Sequence, residues 1–360
     1  MKQQTQPVLI LVLWLILCLS PVSSFGDGIT LPAGLTELED EVFSGCASIS
    51  SVTLPAGLTS LGEDVSGSFA RNVLIRCDRG SMAMDLLRSG RDVDAGARYR
   101  ALLIGQSYAG TRYRLDGPSY DVDNMRAALS AFPDTPYSVT VARDLTGIGI
   151  RNAILSAFAD ADEYDVSLLF YSGHGIGGTG ALVGTDFRTR FSGLLYPSEL
   201  RRVLDRIPGR KIVIVDACYS GHIVEELRSN GSDFSAGEGG GFAGAFVSAF
   251  CGGLSANDAD AASRAFSRYY VMAACAPDEL SYEFTGNSRW AGIFSWSLGV
   301  GLGWDGLRNA ACERYADEDL DGRITFGEAF AFARRYALAQ SSGQTAQSNA
   351  PDESAFCPFR

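Results

Sequence analysis

Two apolar runs, each ending in a reactive side chain, constrain this chain more than any other feature. The first reads Asp165-Val-Ser-Leu-Leu-Phe-Tyr-Ser-Gly-His174-Gly175 and the second Lys211-Ile-Val-Ile-Val-Asp-Ala-Cys218-Tyr-Ser-Gly221. Unbroken apolar runs of this length, closed by glycine, read as strands buried on both faces. An amphipathic stretch, residues 197–207, separates them. That order predicts parallel neighbours in an α/β sheet. Open α/β sheets bind their ligands at the carboxyl ends of the strands, and His174 and Cys218 both fall there.

A thiol and an imidazole at adjacent strand ends suffice for nucleophilic cysteine catalysis. Cysteine attacks as the thiolate, and an imidazole titrates where it can take that proton near neutrality. The backbone N–H groups of Gly175 and Cys218 are the candidate oxyanion donors. Gly175 also lets a substrate backbone approach closely. The competing reading is an inert buried cysteine beside a hydrogen-bonded core histidine. Against it, the chain has only two histidines, His174 and His222, and the strand ends carry matching Ser-Gly and Gly punctuation. His222 is the rival imidazole, expected on the helix leaving the strand and pointing away.

Tyr171-Ser-Gly-His174-Gly175 followed by Asp216-Ala-Cys218-Tyr-Ser-Gly221 resembles the caspase–metacaspase superfamily of cysteine peptidases, whose fold the legumain-like branch shares. Ala101-Leu-Leu-Ile-Gly105, Leu115-Asp-Gly117-Pro-Ser-Tyr-Asp121-Val-Asp-Asn-Met125, Tyr270-Val-Met-Ala-Ala274 and Glu279-Leu-Ser-Tyr-Glu283 resemble flanking segments of that domain. The similarity covers residues 98–338. It implies a mostly parallel sheet flanked by helices, a polypeptide substrate and no organic cofactor. It also implies Cys218 as nucleophile and His174 as proton carrier. In metacaspases the positions matching Asp121 and Asp216 form an acidic pocket for the residue before the cut, which implies Arg or Lys there. A cation held by two carboxylates is well stabilised once desolvated. From the residues alone, Asp121 also suits a helix cap and Asp216 a hydrogen-bonded core acid. A preference for Asp before the cut would need a base in the cleft, from Arg112 or Arg114. Asn specificity, with legumain-like transpeptidation, stays open. The alternative from another class is a surface adhesion protein with an inactive domain, against which the intact His174 and Cys218 speak.

A net charge of −12 over 360 residues argues against nucleic acid as a partner. The start of the chain reads as an export signal over residues 1–24, with Lys2, an apolar core at 7–19, Pro21 and then Val22-Ser-Ser24. The core is shorter than the roughly 20 residues of a membrane helix. The expected protein is therefore exported, secreted or at the cell surface, with no stable membrane insertion after signal cleavage. Export permits disulfides. With Cys18 in the signal and Cys218 set aside, Cys46, Cys77, Cys251, Cys275, Cys312 and Cys357 remain, and their pairing is not determined.

Leu31-Pro-Ala-Gly-Leu-Thr36 recurs as Leu54-Pro-Ala-Gly-Leu-Thr59, a shift of 23 positions. That period lies in the leucine-rich-repeat range. Residues 27–95 resemble the repeats of BspA-like bacterial surface proteins, which points to a bacterial source. The α/β domain then has expected strands at 99–105, 137–142, 166–171, 211–216 and 269–274, and helices at 121–131, 147–159, 197–207, 290–302 and 326–337. Residues 229–262 form a Gly/Ala/Ser-rich insertion, expected as an exposed processing loop with Arg228, Arg264 or Arg268 as self-cleavage sites. Residues 339–360 are expected as a polar, mobile tail unless Cys357 ties it down.

Asp317-Glu-Asp319-Leu-Asp321-Gly322-Arg323-Ile324-Thr325-Phe-Gly-Glu328 fits an EF-hand loop for one Ca2+. Asp317, Asp319, Asp321 and Glu328 take the acidic positions. Arg323 offers its backbone carbonyl and Thr325 a side chain or water. The competing reading is a polar turn with an acidic helix start.

Overall fold

The computed structural model describes residues 28–38, 42–43, 49, 51–61, 73–78, 81–82, 93–94, 96–188, 192–228, 269–349 and 356–360. The expected export signal, the insertion at 229–262, Cys46, Cys251, Arg264 and Arg268 lie outside the described residues. The chain divides into two compact units, one up to residue 97 with 355–357, the other 98–354 with 358–360.

In the first unit the sequence repeat becomes strand register. Strands β1 (Ile29–Thr30), β3 (Ser51–Thr53), β5 (Leu74–Arg76) and β6 (Val93–Asp94) form one parallel sheet, and β2 (Glu37–Leu38) pairs with β4 (Ser60–Leu61). Ile29 lies opposite Val52, Val52 opposite Ile75, and Glu37 opposite Ser60. Each partner sits one 23-residue shift further on. Stacking the same sequence position unit on unit lets Leu31, Leu54, Val52 and Ile75 bury together what no single repeat can cover.

The second unit is a six-stranded sheet in the order β8 (Ser138–Arg143), β7 (Tyr99–Gly105), β9 (Val166–Ser172), β13 (Arg210–Asp216), β14 (Tyr269–Ala273) and β19 (Gln347–Ser348). The first five are parallel, and β19 runs antiparallel on the edge. Every residue of β9 is buried, as are six of the seven in β13. These are the two apolar runs, now the central strands. One face packs on α2 (Gly147–Ala157), α3 (Pro197–Leu204) and α4 (Gly221–Arg228) through Ile150, Ile154, Leu200, Val203, Ile223 and Leu227. α1 (Gly117–Leu129) covers β7 and β9 on the other, with α5 (Ile293–Gly301) and α6 (Phe326–Gln340) packed beside it. A side chain on Gly105 would strike the Pro118 carbonyl at 2.5 Å, so glycine sets how closely α1 lies on β7. Among the described residues no helix is long and apolar enough to cross a membrane.

Three expectations change. Helix α1 begins at Gly117, with Pro118 in its first turn and no side-chain cap. Asp121 is therefore a buried mid-helix residue and not a cap. Residues 290–292 are not helical. They belong to a hairpin of β15 (Glu283–Gly286) and β16 (Arg289–Gly292). Its turn residues Asn287 and Ser288 have φ of 53° and 63°, the positive values a tight two-residue turn requires. Of the expected mobile tail, residues 347–348 and 358–360 pack on the second unit. β19 pairs with Ala273 and Met272, Phe359 is fully buried and bridges Ile324, and the Arg360 N–H donates to Thr135 at 3.0 Å. Backbone pairing and one aromatic anchor hold them. Among the described residues Cys218, Cys275 and Cys312 form no disulfide.

Candidate active site

Two short connections complete this end of the sheet, a meander of β10 (Gly175–Ile176), β11 (Ala181–Val183) and β12 (Leu194–Leu195), and a hairpin of β17 (Trp304–Asp305) and β18 (Ala310–Ala311). Strands β9 and β13 are paired so that Ser172 lies opposite Asp216. His174 and Cys218 each follow two residues later, so strand register brings them together. The Gly173 N–H donates to the Asp216 carbonyl at 3.1 Å. A Cβ on Gly175 would sit 2.0 Å from the Cys218 carbonyl oxygen. The chain after the histidine is thus laid directly on the backbone of the cysteine, an approach only glycine permits.

The imidazole is fixed from several sides. Its Nε2 lies 2.8 Å from the Tyr113 carbonyl oxygen. A carbonyl only accepts, so Nε2 carries the proton, and neutral His174 keeps its lone pair on Nδ1. The Tyr108 ring lies against the imidazole at 4.8 Å. The His174 N–H donates to the Tyr108 hydroxyl at 3.0 Å, and its carbonyl accepts from the Tyr171 hydroxyl at 3.1 Å. Both phenols are buried, and burial keeps them protonated well above their ordinary range. Tyr108 itself holds a φ of 49°, and Asp144 secures that turn by accepting from the Ser107 and Tyr108 N–H groups at 2.8 Å each.

Burial shifts both reactive groups toward neutrality. It lowers His174 below its ordinary 6.5, against the Tyr113 bond. It raises the Cys218 thiol, and the fields of Asp216 and Glu283 raise it further. The thiol donates to the Ser281 carbonyl at 3.6 Å. Both shifts favour the uncharged forms, a thiol and a neutral imidazole.

Beside the thiol lies a group of acids. Asp121 accepts from the Ser172 hydroxyl at 2.7 Å and the Gly292 N–H at 3.0 Å. Asp216 accepts from the hydroxyls of Ser281 at 2.5 Å and Ser295 at 2.7 Å, and from the Ser295 N–H at 2.9 Å. A Cβ on Gly292 would come within 2.3 Å of an Asp216 carboxylate oxygen and 3.2 Å of an Asp121 oxygen, so both acids converge on that glycine. Burial raises both carboxyls, and repulsion from Asp216 adds to the shift on Asp121. A third acid joins them. Glu283, at the start of β15, accepts from the Gly117 N–H at 3.1 Å, and burial with the neighbouring Asp216 pushes it up to about 7. The motif Glu279-Leu-Ser-Tyr-Glu283 contains it, but nothing in the local sequence distinguishes Glu283 from any polar strand residue. The three acids are met by hydroxyl and N–H donors, and by no cation among the described residues.

The other candidates are placed as follows. His222 sits on α4 and pairs with Glu225 at 3.3 Å. Arg112 stacks on the Tyr113 ring at 4.8 Å, and Arg114 pairs with Asp116 at 2.5 Å. Asp317, Asp319 and Asp321 bring ligand oxygens within 4.8 Å of one another. Gly322 makes the turn with φ 84°. Thr325 and Glu328 form the capping box of α6, the Thr325 N–H donating to Glu328 at 2.8 Å. The Arg323 N–H is tied to Asp321 at 2.8 Å.

A family model described as the caspase domain matches residues 98–306. Metacaspase-4 of Arabidopsis thaliana is 31% identical over 147 residues, covering 36% of this chain and 35% of the relative. Metacaspase-7 of the same plant is 33% identical over 147 residues, covering 36% of each, and Metacaspase-6 is 31% identical over the same length. The chain thus spans only about two fifths or less of the length of the curated relatives it matches. The family match covers more than half of this chain and takes in both strand ends that carry His174 and Cys218, so the chain belongs to the caspase domain family.

Proposed function

We propose that this chain is a cysteine endopeptidase that cuts polypeptides after Arg or Lys. The observation that carries the specificity is the convergence of Asp121, Asp216 and Glu283, three carboxylates without a cation, beside the Cys218 thiol. A guanidinium or ammonium entering among them supplies the missing charge in a site of low dielectric. It also offsets the field that holds the thiol protonated.

The chemistry follows from the resting pair. As Cys218 Sγ attacks the scissile carbonyl carbon, its proton passes to His174 Nδ1. The carbonyl π electrons move to oxygen, and the N–H groups of Gly175 and Cys218 meet that oxyanion. Collapse breaks the C–N bond, and the imidazolium gives its proton to the leaving amine. A thioester remains. Water, deprotonated by the same imidazole, attacks it and releases the acid and the thiol. Tyr113 acts as a positioning residue through its carbonyl, which fixes the tautomer.

A fluorogenic peptide panel with Arg, Lys, Asn and Asp before the cut, with and without calcium, tests this reading. Turnover confined to Arg and Lys is expected. Turnover of Asn or Asp peptides alone overturns the acidic-pocket assignment.

The Asp317, Asp319 and Asp321 cluster, with Glu328, supports one Ca2+ site beside α6. Calorimetric titration of Cys218→Ala protein is expected to find a single site that Asp317→Ala with Asp319→Ala removes. No heat at about millimolar calcium, where even weak extracellular sites fill, rejects it. The apolar N-terminal run supports export, and the 23-residue register supports a leucine-rich-repeat-like N-terminal unit.

A further inference from the structure

Beside the imidazole lies a cavity of about 220 Å3. His174 and Gly175 line it, together with Tyr113, Ile176, Val183 and Phe187. Cys218, Asp121, Asp216 and Glu283 do not. We propose that this cavity is the subsite for the residue after the scissile bond, and that it selects a large apolar or aromatic side chain. The inference rests on the peptidase reading above.

The direction of the chain through the site follows from the chemistry. The side chain before the cut goes to the acids. The leaving nitrogen takes its proton from His174, so the segment that carries it runs along the imidazole, and the cavity opens there. Its walls are mostly apolar, with Thr111, Thr185 and Arg188 the polar side chains beside His174, and no carboxylate lines it. It is smaller than the roughly 300–1,000 Å3 of a typical ligand cleft, so it takes one side chain and not a folded segment. The walls are also preset. The Tyr113 ring stands edge-on to His174 at 6.5 Å and to Phe187 at 6.2 Å. Val183 is pinned between the Tyr108 and Tyr171 hydroxyls, at 2.9 Å and 3.1 Å from its carbonyl. An aromatic side chain entering this space finds edges and faces to pack on. Arg188 at the rim disfavours a second basic residue. The two sides of the cut are thus read by opposite chemistries, charge before it and apolar bulk after it.

Internally quenched peptides with Arg fixed before the cut, and Gly, Ala, Leu, Phe, Asp or Lys after it, test this. For Phe and Leu, kcat/KM is expected to exceed that for Gly by about tenfold, the effect of partly burying one such side chain, with Lys the poorest. The gain belongs to acylation, measured in single turnovers, because the leaving segment is gone before the thioester is hydrolysed. Phe187→Ala is expected to bring the Phe-to-Gly ratio toward one. Ile176→Trp, which fills the cavity, is expected to invert it. Ratios taken within each variant are insensitive to how much of it folds. Cleavage of Arg peptides with a flat profile, or one favouring Gly or Asp, overturns this inference alone. Failure to cut any Arg peptide overturns the Arg/Lys endopeptidase reading above instead.

Discussion

Replacing Glu283 with glutamine tests the acidic pocket as a physical object, independently of any substrate. The folded protein holds the Glu283 proton up to about pH 7, against an ordinary value of 4.5. A folded-state value above the unfolded one means that this group's contribution to stability is complete below pH 4.5 and is lost as pH rises through about 7. At 1.36 kcal/mol per pH unit, the gap amounts to about 3 kcal/mol. Glu283 is only partly buried, and water at the cleft mouth reduces this to about 1–2 kcal/mol. Glutamine keeps the oxygen that accepts from Gly117 and does not titrate. Glu283→Gln, made in the Cys218→Ala protein to prevent autolysis, is thus expected to match its parent near pH 5 and to be more stable by about 1–2 kcal/mol near pH 8. The adjacent Asp216 and Asp121 ionise more easily once the third charge is gone, which adds to the gain. Urea unfolding midpoints at the two pH values measure it. A difference that does not change with pH, or a variant less stable at pH 8, refutes the claim that three unpaired acids share this space.

Three further outcomes are expected. Cys218→Ala and His174→Ala abolish peptide cleavage while His222→Ala retains it, and the acid limb of kcat, read with the substrate cation already bound among the acids, lies below pH 6.5 because burial lowers His174; a limb of kcat centred above pH 7 contradicts a neutral resting pair. Tyr171→Phe strips the bonds at the His174 carbonyl and the Val183 N–H, each 3.1 Å long; it costs about 1–3 kcal/mol of stability and lowers kcat more than it raises KM, whereas a pure KM effect argues against a positioning role. Burial pushes the Asp165 carboxyl up, but bonds from Arg98 and Arg100 at 2.8 Å each outweigh it and hold it well below its ordinary 3.8; its stabilisation is present above that value and lost in acid below it, so Asp165→Asn, which leaves Arg98 and Arg100 only the more exposed Asp160 and Asp162, is expected to lose about 1–3 kcal/mol near neutrality by denaturant unfolding.

The two central strands were legible because a strand covered on both faces has no polar position to alternate with, and β9 and β13 write that as unbroken apolar runs. Their carboxyl ends then locate His174 and Cys218 without any knowledge of contacts. The repeat was legible for a related reason, since stacking demands the same residue type at the same position of each unit, and Ile29, Val52 and Ile75 meet that demand. What the sequence hid is carried by groups without a residue signature. The Tyr113 carbonyl that fixes the imidazole is a backbone atom, which every residue type supplies. The edge strand β19 is a polar Gln347-Ser348 pair held by backbone bonds, so no side-chain pattern marks it. Residues 290–292, in the second strand of the β15–β16 hairpin, read as a helix start because Trp290, Ala291 and Ile293 suit either. The positive φ of Asn287 and Ser288 decides the matter, and Asn in a tight turn was the available signal.

That hairpin adds a third acid to an acidic core. Asp216 precedes Cys218 by two positions, and it is buried at the end of its strand whether or not it serves a substrate. Asp121 joins it because α1 begins at Gly117 and not at Asp121. Neither fact requires an empty pocket, since Ser172, Ser281 and Ser295 satisfy two buried acids well. Glu283 changes the balance. It adds a third carboxylate beside them, accepting from the Gly117 N–H, and the hairpin it starts ends at Gly292, whose missing side chain lets the backbone lie directly against both aspartates and donate to Asp121. Under the proposed function, this ties selectivity to chemistry as well as to affinity. The acids that attract a cationic side chain also oppose ionisation of the neighbouring thiol. A substrate that brings the cation removes that opposition at the moment its carbonyl reaches Cys218. A neutral side chain fills the same space and leaves the thiol suppressed. Discrimination between Arg and an uncharged isostere is then expected in the acylation rate as well as in KM, and a difference confined to KM would mean that the acids act by binding alone.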